Sequence, residues 1–163
     1  MDRKNFVKAS YEFRWAYEDE WAPAMKMIWK TFLRFEGNDY TEEGIRNFFD
    51  FISDDDLYVS FLRGDYRLMV ALDKGKIIGA GSLREGNRLS LLFVDEAYHR
   101  RGVGKTLLEA LCTYLKTETG ARKMSLKAAP YAVDFYKKMG FCPTRNTEEE
   151  YAGIRVTSME KIF

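Results

Sequence analysis

One stretch of this chain narrows its possible folds more than any other. An apolar, strand-like run from Leu89 to Val94 leads into the segment His99-Arg100-Arg101-Gly102-Val103-Gly104-Lys105-Thr106, after which Leu107, Leu108, Leu111 and Leu115 recur at helical spacing. A strand, a basic loop with two glycines and a helix therefore follow one another. The first N–H groups of a helix lack intrahelical partners and carry partial positive charge, so they attract phosphate. Gly102 and Gly104 let backbone approach an anion closely, and Arg100, Arg101 and Lys105 add counter-charge. A diphosphate ligand suits this chemistry. An ordinary strand-to-helix turn is the plainer reading and stays open. Gly104-Lys105-Thr106 has the ending of a nucleotide P-loop, but that motif needs glycine where His99 stands. A dinucleotide fingerprint fails as well, because its third glycine would fall on Leu107.

The rest of the chain reads as strands and helices without repeats or linkers. Tyr11 to Tyr17 is an opening strand, and Trp21, Met25, Ile28, Trp29, Phe32 and Leu33 form the stripe of a first helix. Thr41 is placed to cap a second helix, with Glu42 and Glu43 at its positive end and Ile45, Phe48, Phe49 and Ile52 as its stripe. Ser53-Asp54-Asp55-Asp56 then interrupts the pattern. Arg67 to Leu72 and Lys76 to Leu83 flank the turn Asp73-Lys74-Gly75, and Glu85-Gly86-Asn87 turns into Leu89 to Val94, so three consecutive antiparallel strands are expected. After the helix Gly104 to Glu118, Lys123 to Ala128 is a short strand. Pro130 opens a helix with Ala132, Phe135, Tyr136 and Met139 on one side, and Gly140-Phe141 closes it in Schellman fashion. Cys142 onward and Gly153 to Ile162 read as a closing pair of strands. Helices on both faces of a mixed sheet follow from this order.

Composition removes several function classes. The 163 residues suit one domain, and 46% apolar with 31% charged residues is a globular balance. With 26 basic against 25 acidic residues, bulk charge offers nothing to a nucleic acid. No apolar run approaches the ~20 residues a membrane helix needs, and Met1 to Ser10 has no apolar core of a signal peptide. Cys112 and Cys142, flanked by apolar sequence, are expected as buried, reduced thiols. A cytoplasmic location is the expectation.

Two motifs together resemble a known family. His99 to Gly104 is similar to the Gln/Arg-x-x-Gly-x-Gly/Ala loop that the Gcn5-related N-acetyltransferase (GNAT) superfamily carries after its fourth strand, with His99 departing from the first position. Phe135-Tyr136-Lys137-Lys138-Met139-Gly140-Phe141 resembles the aromatic-Tyr-x-x-x-Gly-Phe signature of that family's last helix, in the right order and with a strand between. The resemblance implies a single N-acetyltransferase domain over residues 1–163. Its α/β (α+β mixed sheet) class would be the GNAT, or acyl-CoA N-acyltransferase, fold, β-α-α-β-β-β-α-β-α-β-β. It further implies acetyl-CoA (coenzyme A) as cosubstrate without a metal, and a homodimer.

The resemblance also assigns roles. The cofactor would be held by Leu92, Phe93, Val94, Arg100, Arg101, Gly102, Val103, Gly104, Lys105, Thr106, Ala129, Phe135 and Tyr136. Many members carry Asn where Ala129 stands. A backbone N–H at Phe93, or at its neighbours Leu92 and Val94, would polarise the thioester carbonyl beside a bulge that splays two parallel strands. Tyr136 would protonate the departing sulfur or merely touch it. The strand Arg88 to Val94 holds no carboxylate, so no general base is identified. Glu36, Asp39 and Glu43 fall in the region that binds the acceptor and suit a cationic amine of a small molecule or peptide. The alternatives are a regulatory module that binds acyl-CoA without turnover, and an acetyltransferase for protein N-termini or lysines.

Overall fold

The computed structural model describes residues 10–145, 148–151 and 153–163. The reading of Met1 to Ser10 therefore lies, except for Ser10, outside the described residues.

The sheet is built from β1 (Tyr11–Trp15), β2 (Arg67–Asp73), β3 (Lys76–Arg84), β4 (Arg88–Val94), β5 (Lys123–Ala128), β6 (Cys142–Pro143), β7 (Glu149–Tyr151) and β8 (Ile154–Ile162). Its order is β1-β2-β3-β4-β5-β8-β6, with β7 paired to β8. Every neighbouring pair is antiparallel except β4 and β5, which run parallel. The helices are α1 (Trp21–Phe35), α2 (Glu42–Ile52), α3 (Asp55–Leu62), α4 (Val103–Tyr114) and α5 (Val133–Lys138).

Alternation along the strands divides the core. Met69 and Ala71 of β2 join Leu107, Leu108 and Leu111 of α4 on one face, while Leu68, Val70 and Leu72 join Ile28 and Phe32 of α1 on the other. Gly79 and Gly81 bring α4 close to β3: a Cβ at either position would lie 2.9 Å from Val103 or Leu111. That close seat fixes the start of α4 above the end of β4.

Helix α3 departs from the expected element order. Asp54 to Asp56 is a helix start and not only a break: the Asp54 carboxylate accepts the Asp56 N–H at 2.9 Å, and Asp55 and Asp56 sit in the positive first turn. The helix is held by rings distant in sequence, with Trp21 packing on Tyr58 and Phe61. Thr41 caps α2 by accepting the Gly44 N–H at 3.0 Å. At the end of α5, Phe141 N–H donates to Tyr136 C=O and Gly140 N–H to Lys137 C=O, the two bonds of a Schellman closure. Cys112 is buried as expected, but Cys142 is exposed because β6 is a two-residue strand at the sheet edge.

Candidate active site

The parallel neighbours β4 and β5 meet only where Arg88 partners Ser125, and beyond that point the strands part. A bulge in β4 accompanies the gap. Ser82 of β3 partners Leu91, yet Leu83 partners Leu89, so Ser90 is an extra residue. Its effect is visible in the core: Leu89 packs on the α4 side, whereas Leu91 and Phe93 pack beneath α1. A buried polar chain holds the bulge. Leu91 N–H donates to Ser82 Oγ at 3.1 Å, and Tyr66 OH donates to Ser90 Oγ at 2.9 Å. Tyr66 has one proton, so the 2.7 Å bond between it and Ser82 takes its proton from Ser82.

The register also decides which amides face the gap. Asp95 N–H donates to Ile78 C=O on β3 at 2.8 Å, and Phe93 partners Ala80. Backbone direction alternates along a strand, so Phe93 N–H turns toward β3 while Leu92 and Val94 N–H turn toward the gap. The His99 ring agrees, since Nε2 lies 2.7 Å from the Val94 carbonyl oxygen on that open side. A carbonyl only accepts, so this nitrogen carries the proton.

Two cavities, of about 260 Å³ and 370 Å³, meet at Leu92, Phe93, Tyr131, Ala132 and Tyr136. The larger one runs to the loop before α4. Gly102 has φ +78° and Arg100 φ +63°, a left-handed path that turns the chain sharply into the helix. The first helical bond is Thr106 N–H to Gly102 C=O at 2.9 Å, so the N–H groups of Val103, Gly104 and Lys105 precede it. Arg100, Gly102, Val103, Gly104, Lys105, Val94 and Phe135 all line this cavity. Its positive backbone end, lysine and arginine fit a diphosphate, and the open β4 edge fits an extended amide chain.

Three expected cofactor positions stand apart. The Arg101 guanidinium donates to Tyr11 OH at 3.1 Å and lies over the Tyr98 ring, lining neither cavity. Thr106 uses its N–H inside the helix and also lines neither. Ala129 lines the smaller cavity.

That smaller cavity contains Glu36, only 6% exposed at the end of α1. Burial pushes its carboxyl up to about 7, against a weaker downward pull from the Tyr40 hydroxyl, which donates to Oε1 at 3.4 Å. Its charge in turn helps to raise the Tyr131 and Tyr136 hydroxyls, for which burial is the larger cause. Tyr136 therefore stays protonated at any working pH. Asp39 and Glu43, grouped with Glu36 by sequence, are exposed and line neither cavity. Arg84, Arg88 and Lys127 line the Glu36 cavity instead, and no local pattern in the sequence marks them for it.

A family model described as an acetyltransferase (GNAT) domain matches residues 36–163. Among solved structures, the fold is similar to a GCN5-related N-acetyltransferase from Rhodopseudomonas palustris, at 22% identity and TM-score 0.81 over 94% of this chain and 96% of that one. It is similar also to the PaiA N-acetyltransferase of Thermoplasma acidophilum in complex with coenzyme A, at 20% identity and TM-score 0.78 over 94% and 99%. A spermidine N-acetyltransferase from Vibrio cholerae matches at 18% identity and TM-score 0.67 over 94% of each chain. At these identities the likeness concerns the fold. The family match runs from Glu36 through β4, the phosphate-type loop and α5 to the last residue, and the chain belongs to the GNAT acetyltransferase family.

Proposed function

We propose that this protein transfers the acetyl group of acetyl-CoA to a primary amine by direct attack. The observation that carries the reading is the junction of the two cavities. One has a helix start suited to a diphosphate, the other a buried carboxyl raised to about 7, and Leu92 and Tyr136 stand where they meet. Acetyl-CoA supplies an acetyl group activated as a thioester. The amides of Val103, Gly104 and Lys105 would hold its diphosphate, and the open edge of β4 its amide-bearing arm.

Each remaining role falls to a group of this chain. Glu36 takes the proton that an acceptor ammonium must lose before its nitrogen becomes a nucleophile. A base with this pKa is about half ionised near neutrality, where general-base catalysis is most effective. Leu92 N–H, on the gap side of β4, donates to the oxygen that gains charge, a contribution worth ~100- to 1000-fold in such sites. Phe93 N–H points away toward β3, so the role lies with its neighbour. Tyr136, kept protonated by burial, donates to the sulfur as it leaves, and the second proton shed by the newly acetylated nitrogen restores its hydroxyl.

Thiol release measured with acetyl-CoA across a panel of primary amines, with mass detection of the acetylated product, tests this reading. Product formation is expected. Tight acetyl-CoA binding with no thiol release across the panel would favour a binding module.

A further inference from the structure

Opposite the reaction centre, the Glu36 cavity is walled by cations. Arg84 of β3 and Arg88 of β4 are direct cross-strand partners. Like charges placed directly opposite in a sheet are destabilising, so this pairing goes against the strand's own interest. The Arg84 guanidinium lies 5.4 Å from the centre of the Phe51 ring of α2, which holds it on the cavity side of the sheet. Lys127 of β5 lines the same wall, and its contacts are the Ser158 hydroxyl at 3.4 Å and the Tyr151 ring.

The nearest carboxylate does not cancel this charge. Glu85, in the turn joining β3 to β4, is 3.3 Å from Arg84 and 3.4 Å from Arg88, so two guanidiniums share it. Its side chain is 55% exposed, where an ion pair is worth little. The wall therefore keeps positive charge facing the cavity, with both arginine side chains about one-third exposed. Each guanidinium is a planar fork of donors that matches a carboxylate or phosphate, and here two such forks line one cavity wall.

We infer that the acceptor is an amine that also carries an anionic group, a carboxylate or a phosphate, seated on Arg84, Arg88 and Lys127 while the amine faces Leu92 and Tyr136. The inference rests on the acetyl-transfer reading above and narrows the cationic amine that Glu36, Asp39 and Glu43 suit in the sequence. Arg88 and Leu92 partner Arg84 and Gly81 of β3, three residues and so about 10 Å apart along that strand, and the arginine stem spans part of that distance. The anion is therefore several bonds from the reacting nitrogen, farther than the carboxylate of an α-amino acid lies from its amine.

Four amines of one chain length test this: diaminohexane, aminohexanol, aminohexanoate and aminohexyl phosphate. The expected kcat/KM for the better anionic member exceeds that of aminohexanol at least ~10-fold, and the R84Q/R88Q variant brings that ratio close to one. E85Q, which removes the competing carboxylate, should raise the ratio. Equal or better use of diaminohexane, or a ratio unmoved by R84Q/R88Q in a folded variant, would overturn the inference. Calorimetric titration of aminohexyl phosphate, aminohexanoate and aminohexanol into the protein without acetyl-CoA separates the two readings. Anion-dependent binding that R84Q/R88Q abolishes, with no acetylation of any amine, keeps the anion site and removes the transferase. Acetylation blind to R84Q/R88Q does the reverse. The ranking of the two anionic amines decides between carboxylate and phosphate.

Discussion

Glu36→Gln separates a catalytic carboxyl from a merely buried one. An ordinary glutamate titrates near 4.5, whereas burial carries Glu36 to about 7. Each pH unit between the two is about 1.4 kcal/mol, so ionising Glu36 in the folded protein costs on the order of 3 kcal/mol. Glu36 is 6% exposed, so solvent screening does not reduce this much. Between the two values the unfolded chain has released the proton and the folded chain still holds it. The unfavourable contribution is therefore small below pH 4.5, grows as pH rises, and is complete above 7. Glutamine has no proton to lose, so this dependence disappears in the variant. Urea unfolding of both proteins at pH 5 and pH 8 should show the variant gaining about 2–3 kcal/mol relative to wild type between those pH values. Activity should move the other way. Wild-type kcat/KM should rise with pH through an inflection near 7, and the variant should lose that inflection together with ~100- to 10,000-fold in rate. Stability profiles that stay parallel from pH 5 to 8 would refute the burial argument. An unchanged inflection in the variant would remove Glu36 from the chemistry.

Three further outcomes follow from the site. Gly102→Val places a β-branched residue at φ +78°, a strain of about 1–3 kcal/mol with no clash to relieve; calorimetry should show acetyl-CoA affinity falling at least ~10-fold in a protein that still unfolds cooperatively, and full affinity would contradict the loop assignment. Tyr136→Phe leaves the ring between Phe135 and Phe141 and removes only the hydroxyl; kcat should drop ~100-fold with the acetyl-CoA Kd within a few-fold, and a wild-type rate would make Tyr136 a packing residue. Ser82→Ala strands the Leu91 N–H and breaks the link to Tyr66; chemical denaturation should register a loss of about 1–3 kcal/mol, and a neutral result would mean the bulge is held by other means.

Much of the fold was legible because its signals are local. The apolar runs and turns of β2 to β4, the Thr41 cap and the Gly140-Phe141 closure each lie within a few residues of their cause. Helix α3 was missed where that locality fails. Its cap was in view at Asp54, but its apolar side is completed by Trp21, far back in the chain. The phosphate-type loop was readable as strand, glycines and helix, while the diversion of Arg101 to Tyr11 depended on a strand 90 residues away. Glu36 carried one overlooked mark. A carboxylate at the C-terminal end of a helix opposes the helix dipole, unlike Glu42 and Glu43 at a helix start. A residue that breaks a local rule is a better site candidate than neighbours that obey one.

The acceptor wall and the reaction centre share a cause that no motif displays. Side chains alternate faces along a strand, so one extra residue reverses the face of everything before it. With Ser90 bulged, Leu89 turns to the α4 side, and Arg88 turns with Arg84 to the side that Phe51 and Glu36 occupy. Unbulged, the same sequence would put Leu89 beneath α1 and drive Arg88 into the leucine face of α4. The same register sets Leu92 N–H, and not Phe93 N–H, toward the gap. The Ser82–Tyr66–Ser90 chain that holds the bulge is thus a positioning element for both ends of the proposed acceptor, its amine and its anion.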